Sequence, residues 1–97
     1  MLMHFVYIIE TEDGTYYTGV TSNLARRLQE HASGGSRSAV YLRSHRPKYV
    51  VYIKEHDTRR AALKHEYRLK RDQRLKLESV GPRRDILEVI DTELGYQ

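Results

Sequence analysis

The sequence contains no cysteine. Disulfides and thiolate-bound zinc are therefore excluded, and neither can staple the fold. No apolar run approaches the roughly 18 residues of a membrane helix, and no signal peptide opens the chain. A soluble, cytoplasmic protein with no membrane partner is the expectation. Internal repeats and low-complexity tracts are also missing. Acidic residues are scarce in one region only: Leu24 to Lys76 holds 15 basic and 5 acidic residues, whereas the two ends together hold 2 basic and 8 acidic. The net charge of +4 thus conceals a basic middle, which fits a polyanionic partner; an ordinary solvated surface is the alternative, against which the segregation of charge weighs. At 97 residues the chain is read as one domain, 1–97, with a modest core.

What is present begins with an apolar, β-branched run, Phe5 to Ile9, that reads as a strand. Glu12-Asp13-Gly14 makes a turn, and a second strand returns over Thr15 to Val20. A three-residue hairpin loop places Gly14 at the left-handed position. That loop pairs Thr11 with Thr15, Ile9 with Tyr17 and Tyr7 with Gly19. Alternation of side chains then puts Tyr7, Tyr17 and Gly19 on one face, whereas a two-residue loop would split the tyrosines between faces.

Thr21-Ser22-Asn23 supplies capping residues for a helix that stops at Ser33-Gly34-Gly35. Leu24 and Leu28 mark its buried stripe, and Arg27 and His31, one turn apart, lie along the same side. Such a pair either caps the sheet edge or builds a site there. The segment from Ser33 to Arg46 opens with glycine and serine and continues into a short, helix-compatible piece, Ala39 to Arg43. Its cations, Arg37, Arg43, His45 and Arg46 with Lys48 just beyond, are interleaved with Tyr41, a combination suited to phosphate contact with stacking; an ordinary polar connection remains the alternative. Pro47 launches a third strand, Tyr49 to Ile53, apolar on both faces. Asp57-Thr58 then caps a long helix running from Arg59 to about Leu75. Ala62, Leu63, Glu66 and Leu69 fall on one side of it, with Lys70 at the margin and His65 on the opposite, surface side. A carboxylate amid an apolar stripe is costly unless offset by an arginine such as Arg27 or by a divalent cation. Beyond Val80-Gly81-Pro82, the apolar Ile86, Leu87, Val89 and Ile90 suggest a short acidic helix closing on the core.

Phe5-Val6-Tyr7, Tyr17-Thr18-Gly19, Arg27 with His31, and Leu63 with Glu66 together resemble the GIY-YIG nuclease domain, especially its small stand-alone bacterial and archaeal members. The likeness covers about residues 5–77 and leaves 78–97 as an acidic C-terminal extension. It implies an α+β fold in which a small three-stranded antiparallel sheet is flanked by helices. It also implies a metal-dependent endonuclease that hydrolyses DNA phosphodiester bonds, as in repair or recombination, with RNA as the other candidate substrate. Tyr7, Tyr17, Arg27, His31 and Glu66 would be catalytic. Glu66 would hold Mg²⁺ or Mn²⁺, Arg27 would neutralise phosphoryl charge, His31 would position or relay a proton, and either tyrosine would be the general base. Gly19 would leave room for the substrate backbone, and Arg37, Tyr41, Arg43, His45, Arg46, Lys48 and Lys70 would contact nucleic acid. The chain departs from many members in having no asparagine beyond Glu66. The alternative is a nucleic-acid-binding module that keeps the fold with little or no catalysis. Oligomeric state is left open.

Overall fold

The computed structural model describes residues 2–94. Strand β1 (His4–Thr11) turns back into β2 (Tyr16–Thr21). The helices α1 (Leu24–Ser33) and α2 (Val40–Ser44) follow, and then β3 (Pro47–His56). After these come α3 (Arg59–Arg71), α4 (Gln73–Ser79), the two-residue β4 (Arg84–Asp85) and α5 (Ile86–Leu94). The expected small antiparallel sheet is present, and β4 adds a short fourth strand to it, giving the order β2-β1-β3-β4. β4 pairs Asp85 with Tyr49 and Arg84 with Val50. Two residues flanked by Pro82 and a helix carry too little alternation to announce a strand.

The hairpin has the register that a three-residue loop dictates. Tyr7 opposes Gly19 and Ile9 opposes Tyr17, and the Thr11 N–H donates to the Thr15 carbonyl at 2.9 Å. Gly14 sits at φ +80°, where a side chain would be strained. The central strand β1 is the most buried: Val6 to Thr11 are all covered. Its residues alternate between two apolar layers. Tyr7 and Ile9 join Leu24, Leu28, Leu42, Val50, Ile86, Val89 and Ile90 on the side of α1, α2 and α5. Val6 and Ile8 join Val51, Ala62 and Leu69 on the side of α3.

Both ends of α1 follow sequence chemistry. The Asn23 side chain accepts from the Arg26 N–H, and Gly34 at φ +69° lets its own N–H reach the His31 carbonyl. Leu24, Leu28 and His31 are the buried positions, together with Ala25, so His31 belongs to the core stripe and Arg27 to its margin. Thr58 caps α3 by accepting from the Ala61 N–H. The helix does not continue to Leu75. Asp72 turns extended (φ −115°, ψ 96°), closing α3 and using its carboxylate to accept from the Leu75 N–H as the cap of α4. An aspartate can serve a new helix start better than it extends an old one. α5 forms as expected, with Ile86, Val89 and Ile90 inward, but Leu87 is 60% exposed because a nine-residue helix turns only one stripe inward.

Candidate active site

Tyr7 and Tyr17 project from neighbouring strands on the α1 face. Their ring centroids lie 6.4 Å apart, and His31 approaches both, at 5.8 Å from Tyr7 and 5.4 Å from Tyr17. The Tyr7 hydroxyl and His31 Nε2 are hydrogen-bonded at 2.7 Å. The other ring nitrogen, Nδ1, receives the Ala39 backbone N–H at 3.4 Å. A backbone amide can only donate, so Nδ1 is the acceptor and the imidazole proton resides on Nε2, pointing at the Tyr7 oxygen. Burial keeps this ring neutral: desolvation, reinforced by the Arg27 cation, lowers the His31 pKa to about 4. The same burial raises the Tyr7 phenol well above its ordinary value; Tyr17 pushes it further up while Arg27 pulls it down.

Gly19 is where the close approach is made. A Cβ there would meet the Tyr7 hydroxyl and would stand 2.6 Å from its Cζ. The expectation that Gly19 leaves room for substrate is therefore corrected. The space is filled by the Tyr7 ring, and Gly19 itself is buried, so its contribution is to seat Tyr7.

Arg27 is held at the rim. Its Nη1 donates to Glu30 at 3.0 Å and to the Arg37 carbonyl at 2.6 Å, tying the loop after α1 to the site. Glu66 comes from α3, on the other side of the sheet. It lies close enough to raise the Tyr7 pKa but makes no hydrogen bond within the tyrosine–histidine cluster among the described residues. It is also not in the middle of the apolar stripe. Ala62 and Leu69 occupy that line, while Glu66 and Leu63 lie at its margin and stay partly exposed. Its ionic partner is Lys70 at 3.4 Å rather than an arginine.

The loop residues divide. Tyr41 stacks on Tyr17 at 6.4 Å, and His45 stacks on Tyr41 at 4.2 Å. His45 is gripped through Nδ1 by Asp13 at 2.7 Å, and the Thr11 hydroxyl and His45 hold the Asp13 carboxyl below its usual range. Arg43 donates to the Ser36 carbonyl at 2.6 Å, and Arg37 is exposed. Arg46 and Lys48 are not brought to the cluster; they line a separate recess with Glu12, Asp85 and Leu87. Sequence reading missed the contacts of Ala39, Asp13 and Tyr41 because each joins separate elements or loops that only the fold brings together. It also placed His65 on a bare surface. In the structure His65 is half-buried, its Nδ1 2.9 Å from His56 Nε2 and its Nε2 3.3 Å from the Tyr52 hydroxyl. The even spacing of Tyr52 and His56 on one strand was the available signal.

Residues 3–78 match the family profile of the GIY-YIG catalytic domain. A UPF0213 protein of Halobacterium salinarum is 40% identical over 78 residues, covering 80% of this chain and 99% of its own. One of Desulfotalea psychrophila is 48% identical over 66 residues, 68% of this chain and 59% of that relative. The solution NMR structure of a UPF0213 protein from Bacillus halodurans is 38% identical, with TM-score 0.49 and coverage of 78% of this chain and 79% of that one. With the profile spanning most of its length, the chain belongs to the GIY-YIG nuclease family.

Proposed function

We propose that this protein is a metal-dependent endonuclease that hydrolyses phosphodiester bonds of DNA, as in repair or recombination. The observation that carries the reading is the buried Tyr7–His31 hydrogen bond, with Tyr17 packed on both rings and Arg27 at their rim. A purely structural tyrosine would need only a satisfied hydroxyl; this one sits with a second tyrosine, an arginine and a carboxylate within electrostatic reach.

The two tyrosines differ in a way that divides their roles. Tyr7 is 1% exposed and its phenol is kept protonated by burial. It receives the His31 Nε2 proton, which turns its own hydroxyl proton away from the imidazole. Tyr17 is half-buried, so part of its side chain stays open to solvent, and it is the group that can take a proton from an attacking water, with Tyr7 and His31 as positioning residues. Arg27 uses Nη1 for Glu30 and the Arg37 carbonyl and acts on the Tyr7 phenol as well, which holds its guanidinium beside the phenols where it would meet a phosphoryl oxygen.

Glu66 fits the role of metal holder. Its side chain is 17% exposed and loosely satisfied by one flexible lysine. Among the described residues no group of three or more His, Asp or Glu could hold a metal. A single carboxylate completed by waters and a phosphate oxygen suits Mg²⁺ or Mn²⁺. Bound there, the ion would supply charge to a phosphoryl oxygen and to the leaving group. The Glu66–Lys70 pair favours the second reading, a binding module with little turnover, in which Lys70 occupies the carboxylate permanently.

Supercoiled, nicked and single-stranded DNA, and an RNA, incubated with Mg²⁺, Mn²⁺ or EDTA, separate the two. Cleavage that needs metal and disappears in Glu66→Ala, with salt-sensitive binding retained, supports the nuclease. Binding without cleavage under either metal supports the module, and absence of both at low salt defeats the two together.

A further inference from the structure

Helix α3 is unusual in its charge. It carries Arg59, Arg60, Lys64, Arg68, Lys70 and Arg71 against the one carboxylate of Glu66. Helices of solvated surfaces mix signs, and like charges one turn apart destabilise. Here Arg60, Lys64 and Arg68 form one row at four-residue spacing, all exposed and all without an ion-pair partner among the described residues. The next row holds Leu63, Tyr67 and Arg71. Tyr67 is 59% exposed, and Arg71 is organised over it, with its guanidinium 5.2 Å from the ring centroid and Nη1 donating to the hydroxyl at 2.7 Å. Between the rows lies an open groove of about 440 Å³ with Leu63 and Tyr67 among its lining residues. Going round the helix, this surface runs without interruption from the Glu66 margin to His65, which is bonded to His56 and feels both Lys54 and Arg68.

We infer that the outward face of α3 is a phosphate track for a nucleic-acid strand. Arg60, Lys64 and Arg68 contact successive phosphates, Tyr67 stacks on a base or sugar exposed between them, and the strand passes toward the Glu66 margin. The row advances about 6 Å per cation, the scale of one nucleotide step along a strand. An uncharged partner would leave the row uncompensated, whereas a polyanion with evenly spaced phosphates meets every cation and releases counterions at each contact. The surface lies on the opposite side of the sheet from the cations of the α1–α2 loop, so it is a second contact area. That it leads to a site of cleavage rests on the nuclease reading; that it binds does not.

The test uses the full chain carrying Glu66→Gln, in EDTA, with a fluorescein-labelled DNA oligonucleotide followed by anisotropy over a salt series. Changing Arg60, Lys64 and Arg68 together to Gln should weaken binding at low salt at least about tenfold and reduce the slope of log K against log salt by about 2 to 3. Changing the exposed Arg26, Arg74 and Arg84 to Gln is the control of equal charge. Equal losses in both triples would show that net charge alone matters and overturn the track, as would an unchanged α3 triple or the absence of any binding. A loss confined to Tyr67→Ala on an ordered oligonucleotide supports the stacking element; no loss there removes it. Sedimentation with phosphatidylglycerol vesicles, if diminished by the α3 triple while DNA binding is not, would reassign the face to a membrane surface. Circular dichroism melts of each variant exclude unfolding. If the wild-type chain fails to cleave but the two triples still differ, the track stands and the nuclease reading falls.

Discussion

Two tyrosine–histidine pairs straddle the sheet, and their contrast is instructive. Tyr7 and His31 meet on the α1 side at 2.7 Å, both nearly inaccessible. Tyr52 and His65 meet on the α3 side at 3.3 Å, both half-buried, with His56 as a second partner and the cations Lys54 and Arg68 nearby. Residue types and strand–helix origin are the same. Depth and neighbours separate them. In the first pair a backbone N–H assigns the tautomer, and burial drives the imidazole pKa down to about 4. In the second, burial again lowers the histidine, with His56 and the two cations adding to the effect, but each ring has a water-facing side. A tyrosine beside a histidine becomes a pre-organised device only where the surroundings leave it one arrangement.

The largest expected effect tests whether Glu66, contributed by α3, completes a site with the tyrosine–histidine cluster of the α1 side. Replacing Glu66 with Gln should lower metal-dependent cleavage about a thousandfold or more, since the ion's charge stabilisation is worth several kcal/mol. Initial rates on a plasmid substrate measure it, and a variant within tenfold of wild type would remove Glu66 from the site. Next, Gly19→Ala should destabilise the fold by about 1–3 kcal/mol, because its Cβ would overlap the Tyr7 ring, here 2.6 Å away at Cζ. Urea unfolding reads this, and a neutral result would mean that the hairpin can widen.

The buried pair should also make stability depend on pH. His31 binds its proton in the native state only near pH 4, against about 6.5 in the unfolded chain. Between those values unfolding takes up a proton, so stability falls as pH drops through the window from about 6.5 to 4, by up to about 3 kcal/mol. His31→Gln should flatten that part of the urea-midpoint profile. An imidazole that titrates near 6.5 by NMR in the folded protein would contradict it. The smallest effects compare the pairs directly. Tyr7→Phe leaves the buried His31 Nε2–H without an acceptor and should cost about 1–3 kcal/mol, whereas Tyr52→Phe should cost under about 1 kcal/mol because water can replace its hydroxyl. Equal costs would erase the distinction between the two sides.

Much of the candidate site's arrangement is legible in the sequence. The loop ending in Gly14 sets the pairing of Tyr7 with Gly19 and Ile9 with Tyr17, which brings both phenols to one face. Asn23 and Gly34 bound the helix that carries Arg27 and His31. Each of these is local, decided by turn geometry, capping and period. Other features depended on which surfaces meet. Asp72 is compatible with the interior of a helix as well as with a cap, and packing of α4 selects the cap. Gly19 could equally have opened space for substrate, but the neighbouring strand supplied a ring to fill it.

The amino-acid order by itself determined the hairpin register, the helix starts and the concentration of positive charge between Leu24 and Lys76, because these follow from backbone geometry over a few residues and from composition. Only the folded chain decided that Ala39 orients His31, that Lys70 rather than an arginine faces Glu66, and that His65 leans on His56. The reason is physical: the tautomer of an imidazole, the partner of a carboxylate and the shift of a phenol depend on distance and on exclusion of water, and both are set by elements that meet across the sheet.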